Sequence, residues 1–423
     1  MSNWEIQKGF PMAVTLSDYE KVVGPEVIEE IRTLAKHVRH KSLQNINSTP
    51  VGGGVAEILT RLVPLLRELD ISASWDVIKG NEAFYNVTKS FHNALHGNKE
   101  QITEKMLDVY RENTVMNLAE MKFTGDVIVI HDPQPAGLIL RRQAVGRQWI
   151  WRCHIDVSRP DPIVWDFLKP YIERYDAAIF SMPDFARQLP IPQYMVAPSI
   201  DPLSDKNKEL EQTFVQKVLD GYGVDPDRPV LTQISRFDRL KDPLGVIRAY
   251  RIVKRRCDCQ LILAGGAADD DPEGKEVLRE VQEAASDDPD IHVLLLPPFS
   301  DLEINALVRG STVVFQKSIK EGFGLTVSEA LWKGKPVIGG AVGGIKLQII
   351  NGLTGFLVHS AEGAANRASE LLLNPDLRET LGENGRRHVR ENFLITRHIK
   401  DYMLLMLALD YPSERIVRLS AAQ

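Results

Sequence analysis

Apolar residues along the chain fall into short runs separated by longer stretches of helical period. Asp126-Val-Ile-Val-Ile130, Val230-Leu-Thr-Gln-Ile234, Gln260-Leu-Ile-Leu-Ala264 and Thr312-Val-Val-Phe315 are near-continuous apolar runs. Strands of a parallel sheet buried on both faces read this way. Shorter strands are expected at Ser74–Ile78, Gln148–Arg152, Ala177–Met182, Tyr194–Pro198, Ile291–Pro297, Lys335–Gly340 and Gly352–Val358. Ile58, Leu59, Leu62, Leu65 and Leu66 lie on one face of a helix. Further helices are expected over Tyr19–Lys36, Phe84–His96 and much of 361–423. Ser42–Pro50 is polar and reads as a connection. Strand and helix alternate throughout, so the chain is α/β with parallel sheets. The polar residues 204–212 and Asp225-Pro-Asp-Arg-Pro229 mark a break between two such halves, which would face each other across a cleft.

Composition narrows the class. A 423-residue chain with 43% hydrophobic and 26% charged residues is ordinary for globular proteins of two or three domains. A net charge of −6 lacks the basic footprint of a nucleic-acid binder. Cys153, Cys257 and Cys259 have neither disulfide-framework nor metal spacing and suit a reducing compartment. There is no signal pattern and no apolar run of about 18 residues, so a cytoplasmic protein without membrane association is expected.

Candidate chemistry gathers where strands end. Thr312–Phe315 runs into Lys317-Ser-Ile-Lys-Glu-Gly-Phe-Gly-Leu-Thr-Val-Ser-Glu329 and then a helix. Gly322 and Gly324 allow a tight turn around Phe323, and the helix start at Leu325 and Thr326 offers free N–H groups to an anion. Glu321 and Glu329 bracket that turn. Carboxylates beside an anion site suit a ligand with both phosphate and hydroxyl groups, which is a nucleotide-sugar. Gly53 and Gly54 open the helix at 58–66 as a second anion cradle or as a plain linker. Arg236 and Lys241 follow Val230–Ile234 and place two cations where a diphosphate could lie. Gly265 ends the next strand in a weak dinucleotide-like turn. In the first half, His131, Asp132 and His154 follow strand exits, where open α/β sheets bind ligands. Phe84, in a segment rich in aromatic, His and Asn residues, suits stacking on a sugar ring.

The pair Glu321 and Glu329 with Gly-Phe-Gly-Leu between them resembles the E-x7-E motif of retaining glycosyltransferases of family 4. That resemblance is densest over 230–395 and implies the GT-B fold, two Rossmann-like domains facing across a cleft. It implies an N-terminal acceptor-side domain over 1–215, a nucleotide-sugar-binding domain over 216–399, and a last segment, 400–423, that crosses back. Gly-Gly-Gly-Val-Ala-Glu57, His131-Asp-Pro-Gln-Pro and Arg152-Cys-His-Ile-Asp-Val-Ser158 further resemble the trehalose-forming branch. The implied reaction moves glucose from UDP- or ADP-glucose to free glucose with retention. In it Arg236 and Lys241 hold the leaving diphosphate, Glu321 orients the donor sugar and His154 contacts its far hydroxyls. Gly53, Gly54, Gly265, Glu329 and Gly322–Thr326 would bind the donor, and His131, Asp132 and Phe84 the acceptor. Members often carry an acidic residue after Gly343-Gly344, where this chain has Ile345 and Lys346.

Asp269-Asp-Asp271 reads as a solvated loop, so no obligatory cofactor is expected, with a divalent cation such as Mg at most stimulating. A homodimer is compatible with the sequence. A trehalose phosphorylase of the same architecture is the alternative, although it would not need a ribose-binding Glu329. A dehydrogenase is disfavoured, because no Gly-x-Gly-x-x-Gly follows the first strand. A regulator that binds nucleotide-sugar without turnover has no positive sign.

Overall fold

The computed structural model describes residues 14–51, 53–266 and 272–411. The Asp269–Asp271 loop, Gly52 and the end of the expected crossing segment lie outside the described residues. Two six-stranded sheets organise the rest. The first contains β1 (Ser42–Asn47), β2 (Ser72–Val77), β3 (Val127–His131), β4 (Gln148–Arg152), β5 (Ala177–Phe180) and β6 (Gln193–Met195) in the order β2-β1-β3-β4-β5-β6. The second contains β7 (Val230–Ile234), β8 (Gln260–Gly266), β9 (Ile291–Leu296), β10 (Val313–Gln316), β11 (Val337–Gly340) and β12 (Gly355–Val358) in the order β12-β11-β10-β7-β8-β9. Every paired strand is parallel, so all carboxyl ends of a sheet share one rim.

Six helices matter for the site: α1 (Pro25–Val38), α2 (Gly54–Glu68), α3 (Glu82–Leu95), α4 (Asp301–Gly310), α5 (Leu325–Trp332) and α6 (Ile395–Asp410). α6 returns to the first half. Its Ile399, Tyr402, Met403 and Met406 are buried, and Lys400 pairs with Glu30 of α1 at 2.8 Å. Leu394 forms a parallel bridge with Ile200, where Ile200 N donates to Phe393 O (2.8 Å) and Ile395 N to Ile200 O (2.9 Å).

The segment Ser42–Pro50 corrects the reading of a polar connection, because β1 lies inside the first sheet between β2 and β3. Gln44, Asn45 and Asn47 are buried at 2%, 0% and 3% exposure. Buried amides survive only with partners. Gln44 donates to Asp76 (2.7 Å) and to the Lys122 carbonyl (2.8 Å), and accepts from Thr124 N. Asn47 accepts from the Trp75 indole at 2.8 Å. Hydrogen bonds, not apolar periodicity, hold this strand.

Candidate functional site

The Gly-bearing turn lies between β10 and α5. Gly324 has φ +80°, and a Cβ there would sit 3.1 Å from Glu321 Cγ, so the turn folds over the glutamate that precedes it. Glu321 is 8% exposed. One of its oxygens accepts from Lys241 Nζ (2.6 Å), Ser318 Oγ (3.1 Å) and Gln316 Nε2 (3.3 Å). Lys241 reaches it from the loop after β7, which also carries Arg236. The Arg236 side chain is 61% exposed and pairs only loosely with Asp238 at 3.3 Å. An exposed guanidinium thus stands near a Lys–Glu pair at one sheet rim, beside the uncapped start of α5. Together these can hold an anion with hydroxyl groups beside it.

Across the cleft the first half comes very close. A Cβ on Gly322 would lie 2.7 Å from the His154 carbonyl oxygen. A Cβ on Gly54 would lie 2.8 Å from Leu325 Cδ1, whereas at Gly53, with φ +80°, nothing stands within 4 Å. Gly54 of one glycine loop therefore meets Leu325 at the start of α5, which follows the other. Thr326 Oγ1 donates inward to Gln316 Oε1 at 2.9 Å. Gly265 serves packing, since a Cβ there would fall 1.9 Å from Ser235 O.

His154 is half-buried, and its ring is the outer member of a chain. His131 Nδ1 lies 3.0 Å from His154 Nε2, and His131 Nε2 lies 3.1 Å from Asn45 Oδ1. The Asn45 amide nitrogen donates to Ser74 O (3.4 Å), which turns its oxygen to His131. Burial holds both rings in the neutral form, pulling His131 down to about 3 and His154 well below the usual histidine range. His131 therefore donates through Nε2 and accepts at Nδ1 from His154 Nε2–H. His154 Nδ1 is left as a bare acceptor, fit for a hydroxyl. His131 itself is 2% exposed with both nitrogens engaged, so the expectation that it binds acceptor is corrected: it supports His154. Asp132 sits at φ +67°, and its Oδ1 accepts from the His154 amide at 2.7 Å. Burial pushes Asp132 up to about 7.

Phe84 is also corrected. Its ring is 1% exposed and packs on Tyr85 and Tyr110, with centroids 5.5 and 6.3 Å away, so it is a core residue. The same helix α3 instead turns His92 toward the second half. Burial first, then His96 and Arg236, bring His92 down to about 3, and Lys241 acts in the same direction. His96, at the end of α3, is held at about 4 by burial and by Lys320 and Lys241. Their spacing of four on a helix was a usable signal in the sequence. Lys206 carried none. Its Nζ pairs with Glu57 (2.5 Å) and stands 3.8 Å from Asp301 and 3.9 Å from Glu329. Glu329 is 4% exposed, and burial raises its pKa.

Residues 45–187 match the family described as trehalose synthase, N-terminal domain, and residues 216–388 match glycosyl transferases group 1. The trehalose synthase of Thermococcus litoralis is 45% identical over 409 residues, covering 95% of this chain and 99% of that protein. The chain belongs to the trehalose synthase family. Its fold is the GT-B glycosyltransferase fold. A sucrose-phosphate synthase from Thermosynechococcus elongatus superposes with a TM-score of 0.68 at 18% identity, over 87% of this chain and 99% of that one. A UDP-forming α,α-trehalose-phosphate synthase from Burkholderia xenovorans, solved with glucose-6-phosphate, gives 0.69 at 12% identity, over 86% and 100%. At such identities the likeness is one of fold. Family membership makes this chain a trehalose-related glycosyltransferase.

Proposed function

We propose that the protein transfers glucose from a nucleoside-diphosphate glucose, UDP- or ADP-linked, to the anomeric hydroxyl of free glucose. The product is α,α-trehalose, formed with retention, and the nucleoside diphosphate is released. The reading is carried by one juxtaposition: Gly322, the residue after the Glu321 that pairs with Lys241 in one half, lies against the His154 carbonyl of the other. In this mechanism Arg236, Lys241 and the start of α5 take the diphosphate and stabilise its growing charge as the glycosidic bond breaks. Glu321 orients the donor sugar, and Glu329 accepts from the ribose hydroxyls. His154 Nδ1 accepts a hydrogen bond from a hydroxyl of the donor glucose, with Asp132 fixing the His154 backbone. The departing diphosphate takes the acceptor proton on the face where the new bond forms, which accounts for retention without a protein nucleophile.

A product assay tests it. Purified protein is given UDP- or ADP-glucose with glucose, fructose 6-phosphate, glucose 6-phosphate or glycogen. Trehalose formed from free glucose alone, with equimolar nucleoside diphosphate, is the expected result. Product from a phosphorylated or polymeric acceptor overturns the acceptor assignment. Trehalose turnover driven only by inorganic phosphate and glucose 1-phosphate overturns the donor.

A further inference from the structure

Arg152 closes β4 with its side chain wholly buried, at 0% exposure. None of its three guanidinium nitrogens has a hydrogen-bond partner among the described residues. A buried cation left in that state is among the costliest groups a fold can hold. Strand register says where it points. Arg152 is level with His131 on β3 and Ile179 on β5, and Ser181 lies two residues after Ile179, on the same face. On that face Ile150 and Ile179 share a core with Ile399, Tyr402 and Met403 of α6. Arg152 and Ser181 therefore look toward α6, where the rings of His398 and Tyr402 stack at 4.9 Å between centroids. Burial first, then Arg397 and Arg152, holds His398 well below the usual histidine range.

Ser181 Oγ, His398 Nε2 and Arg397 Nε are buried without a partner as well. Ser199 Oγ, 3.0 Å from His398 Nδ1, can donate to it and leave the proton of the ring on Nε2. Every orphaned group of this layer is then a donor. A water molecule accepts too few bonds to serve them and brings no charge. The charges are also out of balance. Arg397 already pairs with Asp401 and donates to Ala197 O (2.7 Å) and Pro198 O (3.0 Å). Burial works against the charge of Arg152 and Arg397 adds repulsion, while Tyr402 and Asp132 oppose them only in part. Asp132 gives its Oδ1 to the His154 amide, and burial draws it toward its neutral form. One positive charge is left over. We propose that Arg152, Ser181 and His398 form an internal site for one small monovalent anion, chloride by size and charge, which fastens α6 to the rim of the first sheet. The site is separate from the sugar and phosphate contacts of the proposed reaction, and either can fail without the other.

The test follows thermal unfolding of the full chain in sodium chloride and in sodium gluconate at equal ionic strength. Protein purified and crystallised in bromide is measured beside it at the bromine absorption edge. The melting temperature should rise by about 2–5 °C for each tenfold rise in chloride above saturation and stay flat in gluconate. Arg152→Met, which removes the donors and keeps the length, should lose that slope. Ser181→Ala should need about tenfold more chloride for the same melting temperature. A bromide peak is expected within hydrogen-bond distance of the Arg152 guanidinium. Equal melting temperatures in chloride and gluconate overturn the inference, and so does a chloride slope that persists in Arg152→Met. Wild-type crystals with no bromide at Arg152 overturn it too, and that result stands even where Arg152→Met fails to fold.

Discussion

Asn45→Leu severs the chain that sets the polarity of His154. Asn45 is fully buried and supplies the oxygen that His131 Nε2–H meets at 3.1 Å. Leucine leaves that donor buried without a partner, which costs about 1–3 kcal/mol. In a half of this size the melting temperature should fall by about 2–4 °C per kcal/mol. His131 relieves part of that penalty by moving its proton to Nδ1 and donating to His154 Nε2. His154 must then carry its proton on Nδ1, so its remaining acceptor becomes a donor. Reversing one hydrogen bond to a sugar hydroxyl is worth about 1–1.5 kcal/mol, or roughly a tenfold loss in kcat/KM. The assay is nitrogen-15 NMR of the imidazoles beside donor kinetics. Wild type should show His154 protonated at Nε2, Asn45→Leu should show it at Nδ1, and Asn45→Asp, which keeps the oxygen, should retain the wild-type tautomer. An unchanged His154 tautomer in Asn45→Leu, with kcat/KM within about twofold of wild type, would refute the chain.

Lys241→Met strips the cation from a carboxylate that is only 9% exposed at the side chain, so it should destabilise by about 3–5 kcal/mol; Glu321→Gln added to it should recover part of that loss in chemical denaturation. Glu321→Gln alone should lower kcat by about 100-fold with the fold intact, and a decrease below about threefold would remove Glu321 from the chemistry. Gly322→Ala places a methyl 2.7 Å from the His154 carbonyl and should hold the halves apart, read as lost turnover with retained nucleotide binding in calorimetry. His92, His96 and His131 are held neutral in the fold at about 3, 4 and 3, so their contribution is present above the ordinary histidine range and is lost as pH falls from about 6.5 toward 4. Asp132, raised to about 7, works oppositely: its contribution is present at low pH and fades as pH rises toward 7. Three histidines outweigh one carboxyl, so the melting temperature should fall on acidification from pH 7 to 5, with proton uptake on unfolding.

How much of this was legible depended on which force held each element. The apolar runs at 126–130, 230–234, 260–264 and 312–315 fall in β3, β7, β8 and β10, because burial on both faces leaves a compositional trace. β1 left none. Its amides are matched by Asp76, Trp75 and His131 from other segments, and such pairing becomes visible only once the chain is folded. The same holds for Lys206, whose partners Glu57, Asp301 and Glu329 come from three distant helices. The Gly-bearing turn at 321–329 was readable because its job is local. Phe84 failed because aromatic composition does not say which face of α3 looks inward, whereas His92 and His96, one turn apart, carried the face that reaches the cations.

The bridge between Ile200 and Leu394 has a mechanical consequence. The chain leaves the first half beside the place where it comes back, and the two crossings are laced by Ile200 N to Phe393 O and Ile395 N to Ile200 O. A single tether would let the second half swivel about its own long axis. Two crossings bonded side by side behave like the leaves of a door hinge: they bend about one line and resist torsion. Were the rims of the two sheets to part, such a hinge would return them in the same registration, with Gly322 against His154.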